Sequence, residues 1–127
     1  MSATLIHHGH VRLLQAAKKL GNVVVALTTD EEIERTKGYP PELKFEERKE
    51  ILESIRYVDE VVSCQWLITT DFLDLHRIDL LVHGSDNSNP IEKERLLVLP
   101  RTEGISSSLL RAQVLKAVAA KLDSGNL

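Results

Sequence analysis

Asn22-Val23-Val24-Val25-Ala26-Leu27 is an apolar, β-branched run with helical patterns on both sides of it. It is too short for a buried helix, so it reads as a strand covered on both faces, as in a parallel sheet. Before it, Leu13, Ala16, Ala17 and Leu20 recur at i, i+3, i+4 and i+7, the stripe of a helix lying on a core. Gly21 then stands where a left-handed C-cap is expected. The alternation continues. Asp30 is read as the N-cap of a short helix over 31–36, and Lys37-Gly38-Tyr39-Pro40-Pro41 as a loop. A helix over 45–56 places Arg48 on its apolar side, partly buried. Strands are expected over 57–62, 79–84 and 95–99, and a helix over 70–78. A final helix starts at serines 106–108 and aligns Leu110, Val114 and Val118, with the tail 123–127 frayed. Strands alternating with helices predict one α/β domain over residues 1–127, a Rossmann-like, doubly wound parallel sheet. Ligands of such sheets sit beyond the carboxyl ends of the strands.

Composition narrows the function. The 127 residues are 43% hydrophobic and 28% charged, with a net charge of -3, which argues against a general nucleic-acid or anionic-membrane binder. Aromatics are only 4%, too few for base-stacking platforms. The lone Cys64 excludes an internal disulfide framework and suits a reducing cytoplasm. No apolar run approaches the roughly 20 residues that span a bilayer, and 1–6 is no signal peptide.

Two segments carry chemistry. His7-His8-Gly9-His10 lies at a helix start, where free backbone N–H groups and the dipole attract anions. Gly9 admits close approach to the backbone, and the two imidazoles beside it are donors for phosphate charge. Clustered histidines near a terminus are also read as surface residues or a tag remnant. Arg101-Thr102-Glu103-Gly104-Ile105-Ser106-Ser107-Ser108 offers a second anion cradle, with Arg101 as a charge-assisted fork. Ser106 is alternatively a simple helix cap. Lys37 is a solvated loop lysine or a mobile phosphate clamp. His76 and His83 have no ligand-like spacing and read as structural or incidental. No metal cage of protein groups is expected; Mg²⁺ held by substrate phosphates is compatible with the pattern.

Together these segments resemble the cytidylyltransferase-like nucleotidyltransferases, and within them the glycerol-3-phosphate cytidylyltransferase group. His7-His8-Gly9-His10 matches that family's His-x-Gly-His signature. Asp30-Glu31-Glu32, Lys37-Gly38, Glu47-Arg48 and the 57–62 stretch fit its middle, and 101–108 resembles its arginine-threonine-x-glycine-isoleucine-serine-threonine-threonine signature. The resemblance implies attack of a phosphorylated alcohol on the α-phosphorus of a nucleoside triphosphate, CTP preferred and carried with Mg²⁺. By the same resemblance, His7 and His10 donate to phosphate oxygens, Lys37 and Arg101 neutralise developing charge, and Ser106 and Ser107 hold the β- and γ-phosphates. Gly9, Asp86, Thr102, Gly104 and Ile105 complete the implied nucleotide site.

The chain departs from the pattern twice. Met1-Ser2-Ala3-Thr4 stands where the family has glycine-threonine-phenylalanine-aspartate, and the central strand before that turn is missing. The expectation is a gap between strands 22–27 and 79–83, in a shortened chain or one repaired by another segment or subunit. The family is commonly dimeric, and an open sheet interior strengthens the expectation of a homodimer. The rival expectation is a non-catalytic relative that binds nucleotide or only self-associates. The second departure is His83-Gly84-Ser85-Asp86-Asn87, where the cytidylyl subgroup shows glycine-aspartate-aspartate-tryptophan; only Gly84 and Asp86 match.

Overall fold

In the computed structural model, which describes residues 1–125, helices and parallel strands alternate as the hydrophobic pattern predicts. The elements are α1 (His8–Lys18), β1 (Val24–Thr28), α2 (Asp30–Lys37), α3 (Phe45–Glu53), β2 (Glu60–Cys64), α4 (Thr70–Leu75), β3 (Leu81–Gly84), β4 (Leu96–Leu99) and α5 (Ser107–Asp123). A single 3₁₀ turn, Lys93–Arg95, precedes β4. β1 pairs with β2 in parallel, Val24 opposite Glu60 through Thr28 opposite Cys64. β3 pairs with β4, Leu81 opposite Leu96 through Gly84 opposite Leu99.

These are two separate two-stranded sheets rather than one continuous sheet. Residues of β1 and β3 line a common cavity of about 1100 Å³ between them, so the expected gap is where the sequence placed it. Met1 fills one rung beside β1. Its ammonium donates to the Ala26 carbonyl (2.8 Å), and its own carbonyl accepts from Thr28 N–H (2.9 Å), the hydrogen-bond pattern of a parallel ladder.

The apolar core forms two clusters, the second of which reaches onto the first sheet through Cys64 and Ala26. Leu14, Val23, Val25, Leu27, Leu52 and Val61 bury together between α1, α3 and the first sheet, with Ala3 beside them. Cys64, Ile68 and Leu73 form a second cluster, against which Ile78, Leu81 and Ile91 pack. Asp59 ties α1 to the start of β1: its carboxylate accepts from Val23 N–H (2.7 Å) and from Lys18 Nζ (2.8 Å).

Local expectations shift in identifiable ways. Thr29, not Asp30, caps α2, its hydroxyl accepting from Glu32 N–H. Asp30 is occupied elsewhere, by Arg48. Helix α1 closes with a right-handed Lys19, so Gly21 is not its C-cap. Helix α3 ends at Glu53 rather than Arg56, where Ser54 Oγ turns back onto the Glu50 carbonyl (2.8 Å). The predicted stripe on α5 finds little to pack against: Val114 is 60% exposed and neighbouring Leu115 72%, and no residue of α5 is buried. Of the tail expected to fray, Asp123 ends α5 and 126–127 lie outside the described residues.

Arg48 is fully buried, not partly. Its Nη2 donates to Asp30 Oδ1 (2.6 Å), Nη1 to the carbonyls of Ser2 (2.7 Å) and Thr28 (3.0 Å), and Nε to the Leu43 carbonyl (3.0 Å). The other Asp30 oxygen accepts the free Phe45 N–H at the start of α3 (3.1 Å). One guanidinium therefore pins the amino-terminal segment, the end of β1 and the loop before α3. No buried side-chain polar atom lacks a partner among the described residues.

Candidate active site

The amino-terminal signature folds into a reciprocal cap. His7 is the N-cap of α1 and its Nδ1 accepts from Gly9 N–H (3.1 Å). His10 answers: its Nδ1 accepts from the His7 backbone N–H (3.1 Å). Histidine here plays both parts of a capping box. Since both Nδ1 atoms accept, each neutral ring carries its proton on Nε2. Burial lowers the His7 pKa, with smaller contributions from His8 and Arg101. Burial, then His7, then the amino-terminal ammonium lower that of His10 to about 4. At neutral pH the site thus presents two uncharged imidazoles, ring centroids 4.0 Å apart, each with an Nε2–H free of the cap.

A sequence pattern of histidines at neutral pH is usually read as switchable charge; this geometry makes them fixed donors. In proton NMR titrations His10 is expected to titrate near 4 and His7 below the ordinary histidine value of about 6.5. The sign for stability follows. An unfolded histidine binds its proton below about 6.5 while folded His10 does not, so this residue's contribution is intact above that pH and is lost as pH falls toward 4. A His10 resonance titrating at the ordinary value would show the cap is not formed.

The two signature segments are stitched together. A Cβ on Gly9 would lie 2.9 Å from His7 Cε1 and 3.4 Å from Ile105 Cγ2, so any side chain there displaces the ring or the second loop. Ser107 Oγ donates to the Leu5 carbonyl (3.0 Å), two residues before His7. Ser106 caps α5, its Oγ accepting from Leu109 N–H (3.0 Å), and Gly104 takes φ 76° in the turn before it. Both hydroxyl oxygens therefore already serve the fold. The first N–H groups of α5 have no intrahelical backbone partner, and residues 106–108 at this helix start line the cavity described next.

His7, Gly9, His10, Lys37, Asp86, Arg101, Thr102, Ile105, Ser106 and Ser107 all line the 1100 Å³ cavity. Of the residues that the resemblance assigns to the site, Gly104 is the one not in the lining; it shapes the turn before α5. Lys37 is the last residue of α2, followed by left-handed Gly38 (φ 82°). Burial and then Arg111 lower its pKa, while Glu42 opposes them. Arg101 Cγ and Asp86 Oδ1 flank Gly84 at the end of β3. His83 also lines the cavity, its Nδ1 3.7 Å from Asp86 Oδ1, although its spacing gave no hint of it. Asp79 and Asp86 are the carboxylates of the lining, and no group of three His, Cys, Asp or Glu among the described residues is placed to hold a metal.

Paired neutral donors, a lysine, an arginine and a helix start around one cavity are groups whose chemistry suits phosphate oxygens. Residues 4–97 match the family model described as cytidylyltransferase-like. The chain belongs to the cytidylyltransferase-like family. Among the relatives of this cytidylyltransferase-like chain is the glycerol-3-phosphate cytidylyltransferase of Bacillus subtilis, 40% identical over 116 residues, 87% of this chain and 89% of the relative. The Staphylococcus aureus protein of the same name is 36% identical, with 87% of each chain covered. A solved structure, the lipopolysaccharide core biosynthesis protein of Thermoplasma volcanium, superposes with a TM-score of 0.68 at 17% identity, covering 81% of this chain and 93% of that one. At that identity the superposition speaks for the fold: this is the cytidylyltransferase-like architecture. No helix among the described residues is long and apolar enough to cross a membrane.

Proposed function

We propose that this cytidylyltransferase-like protein transfers a cytidylyl group from CTP to a small phosphorylated alcohol of the glycerol-3-phosphate type, releasing pyrophosphate. The observation that carries the reading is the pair of neutral imidazoles with free Nε2–H donors, facing a cavity shared with Lys37, Arg101 and the start of α5. The choice of CTP and of the acceptor class rests on the named relatives at 36–40% identity.

In the proposed step a phosphate oxygen of the acceptor attacks the α-phosphorus of CTP in line. One P–O bond forms, the bond to the bridging oxygen breaks, and the electron pair leaves with pyrophosphate. No proton need move at the reacting phosphorus, because both the attacking and the leaving oxygens are phosphate oxygens. His7 and His10 donate through Nε2–H to the oxygens that gain charge. Lys37 and Arg101 supply full positive charge, and the α5 N–H groups hold the outer phosphates. Rigid donors already in place lower the barrier because nothing reorganises as charge develops. Mg²⁺ enters this reading as the counter-ion of the triphosphate, held by the substrate's own phosphates. A homodimer, seated on the exposed apolar face of α5, and a cytoplasmic setting complete the proposal.

Calorimetric titration with CTP and ATP, followed by turnover with glycerol-3-phosphate, tests it. CTP is expected to bind in preference to ATP and to turn over. Lys37→Met is expected to reduce kcat by about 100-fold, the usual cost of one transition-state charge contact. The separated sheets favour a second reading, a binder that does not turn over. CTP binding without product would establish that one, and no nucleotide binding would overturn both.

A further inference from the structure

Arg111 lies one helical turn beyond Ser107 on α5, and it reaches two other parts of the chain. Its Nε and Nη2 form a fork on the two carboxylate oxygens of Glu42, the latter at 3.1 Å. The same Nη2 donates to Oγ1 of fully buried Thr4, and the guanidinium stands 5.6 Å from the centroid of the Tyr39 ring. Glu42 and Tyr39 belong to the loop that follows Lys37, and Thr4 adjoins Leu5, which is bonded to Ser107.

The residues joined by this side chain are thus the loop hinged at Gly38, the segment leading into His7, and the helix whose start faces the cavity. We propose that Arg111 is a positioning residue: by holding loop 38–44 to α5 it sets Lys37 against the same polyphosphate that the start of α5 engages. The proposal rests on the reading of the cavity as a CTP site.

The physical case has three parts. Arg48 and Asp30 hold the far end of the loop, at Leu43 and Phe45. Gly38, Tyr39 and Pro40 at its tip are exposed, and the Glu42 carboxylate is met by no side chain but Arg111 among the hydrogen bonds of the described residues. The fork is bidentate and its arginine side chain is only 22% exposed, the geometry in which an ion pair outside the core holds a fixed orientation. A lysine at 111 would keep the charge but has no planar fork, so charge and geometry are separable.

The test is hydrogen exchange across 38–44 together with steady-state kinetics, in the full chain, for Arg111→Lys, Glu42→Gln and the double variant. Exchange in the loop is expected to rise about three- to tenfold in either single variant, with β1 and β2 unchanged. KM for CTP is expected to rise by a similar factor, and the double variant to be no worse than the singles, since both remove one interaction. Unchanged exchange in the loop overturns the proposal, as does faster exchange with KM and kcat unaltered. Faster exchange in a protein whose wild type does not bind CTP leaves the latch but removes the coupling. That outcome overturns the proposal through the functional reading, and is told apart from the others by calorimetry on the wild type.

Discussion

Replacing His10 by alanine is expected to cut turnover at saturating CTP by about 10²- to 10³-fold, the range seen when one preorganised donor is removed from a developing oxyanion. Two losses combine in that variant. The Nε2–H donor disappears, and the His7 backbone N–H loses its acceptor, loosening the cap that orients the His7 ring. His10→Asn separates them. Its amide oxygen can still accept from His7 N–H, so α1 should start where it does now, while no donor reaches the Nε2 position. Equal kcat loss in the two variants with native circular dichroism would assign the effect to the donor. A much milder loss in the asparagine variant would make His10 chiefly a cap, and equal turnover to wild type would remove it from the chemistry.

Arg48→Met is expected to cost about 3–5 kcal/mol of stability, the range for breaking a buried ion pair by removing one partner. The methionine fills most of the volume but leaves the carbonyls of Ser2, Thr28 and Leu43 without their donor, and Asp30 without its counter-charge. Domains of this size commonly have only 5–15 kcal/mol in total, so the variant would be marginal at best. Asp30→Asn should be milder, because the amide oxygen still accepts from Phe45 N–H. Urea unfolding followed by fluorescence of Trp66, the single tryptophan, reads both. A loss under 1 kcal/mol in Arg48→Met would mean that water reaches those carbonyls.

These residues also show what a sequence discloses. The positions of α1, β1 and α5 follow from periodicity and from cap chemistry, which are local, and both signature segments fell on helix starts as read. The N-cap of α2 did not, because Thr29 and Asp30 are equally good caps in isolation. Asp30 is claimed by Arg48, eighteen positions away, and no local rule contains that competition. Arg48 was visible as a charge on an apolar face, but its partners were not: three are backbone carbonyls, which leave no mark in the side-chain pattern. The Arg111–Glu42 contact spans 69 positions and was invisible because no local rule links side chains so far apart in the chain. His83 lies in the cavity only because β3 ends there, a fact of topology rather than of spacing. The neutral state of His7 and His10 likewise needed the burial that only the folded chain supplies.

The two core clusters and two short sheets have a consequence for how binding and folding are linked. Among the described residues the two sheets are not hydrogen-bonded to each other and meet through side chains, Cys64 and Ala26 of the first packing into the second cluster. The cavity opens between β1 and β3, and such a seam can loosen locally. His7 and His10 stand on the side of the first sheet, and Asp86 and Arg101 at the end of the second. A polyphosphate that touches both is then a cross-brace, and part of its affinity reports how well the second sheet is held in place. Leu73, buried in the second cluster and itself part of the cavity lining, would then affect phosphate affinity through the integrity of that wall. In such a molecule the substrate is a structural member as well as a reactant.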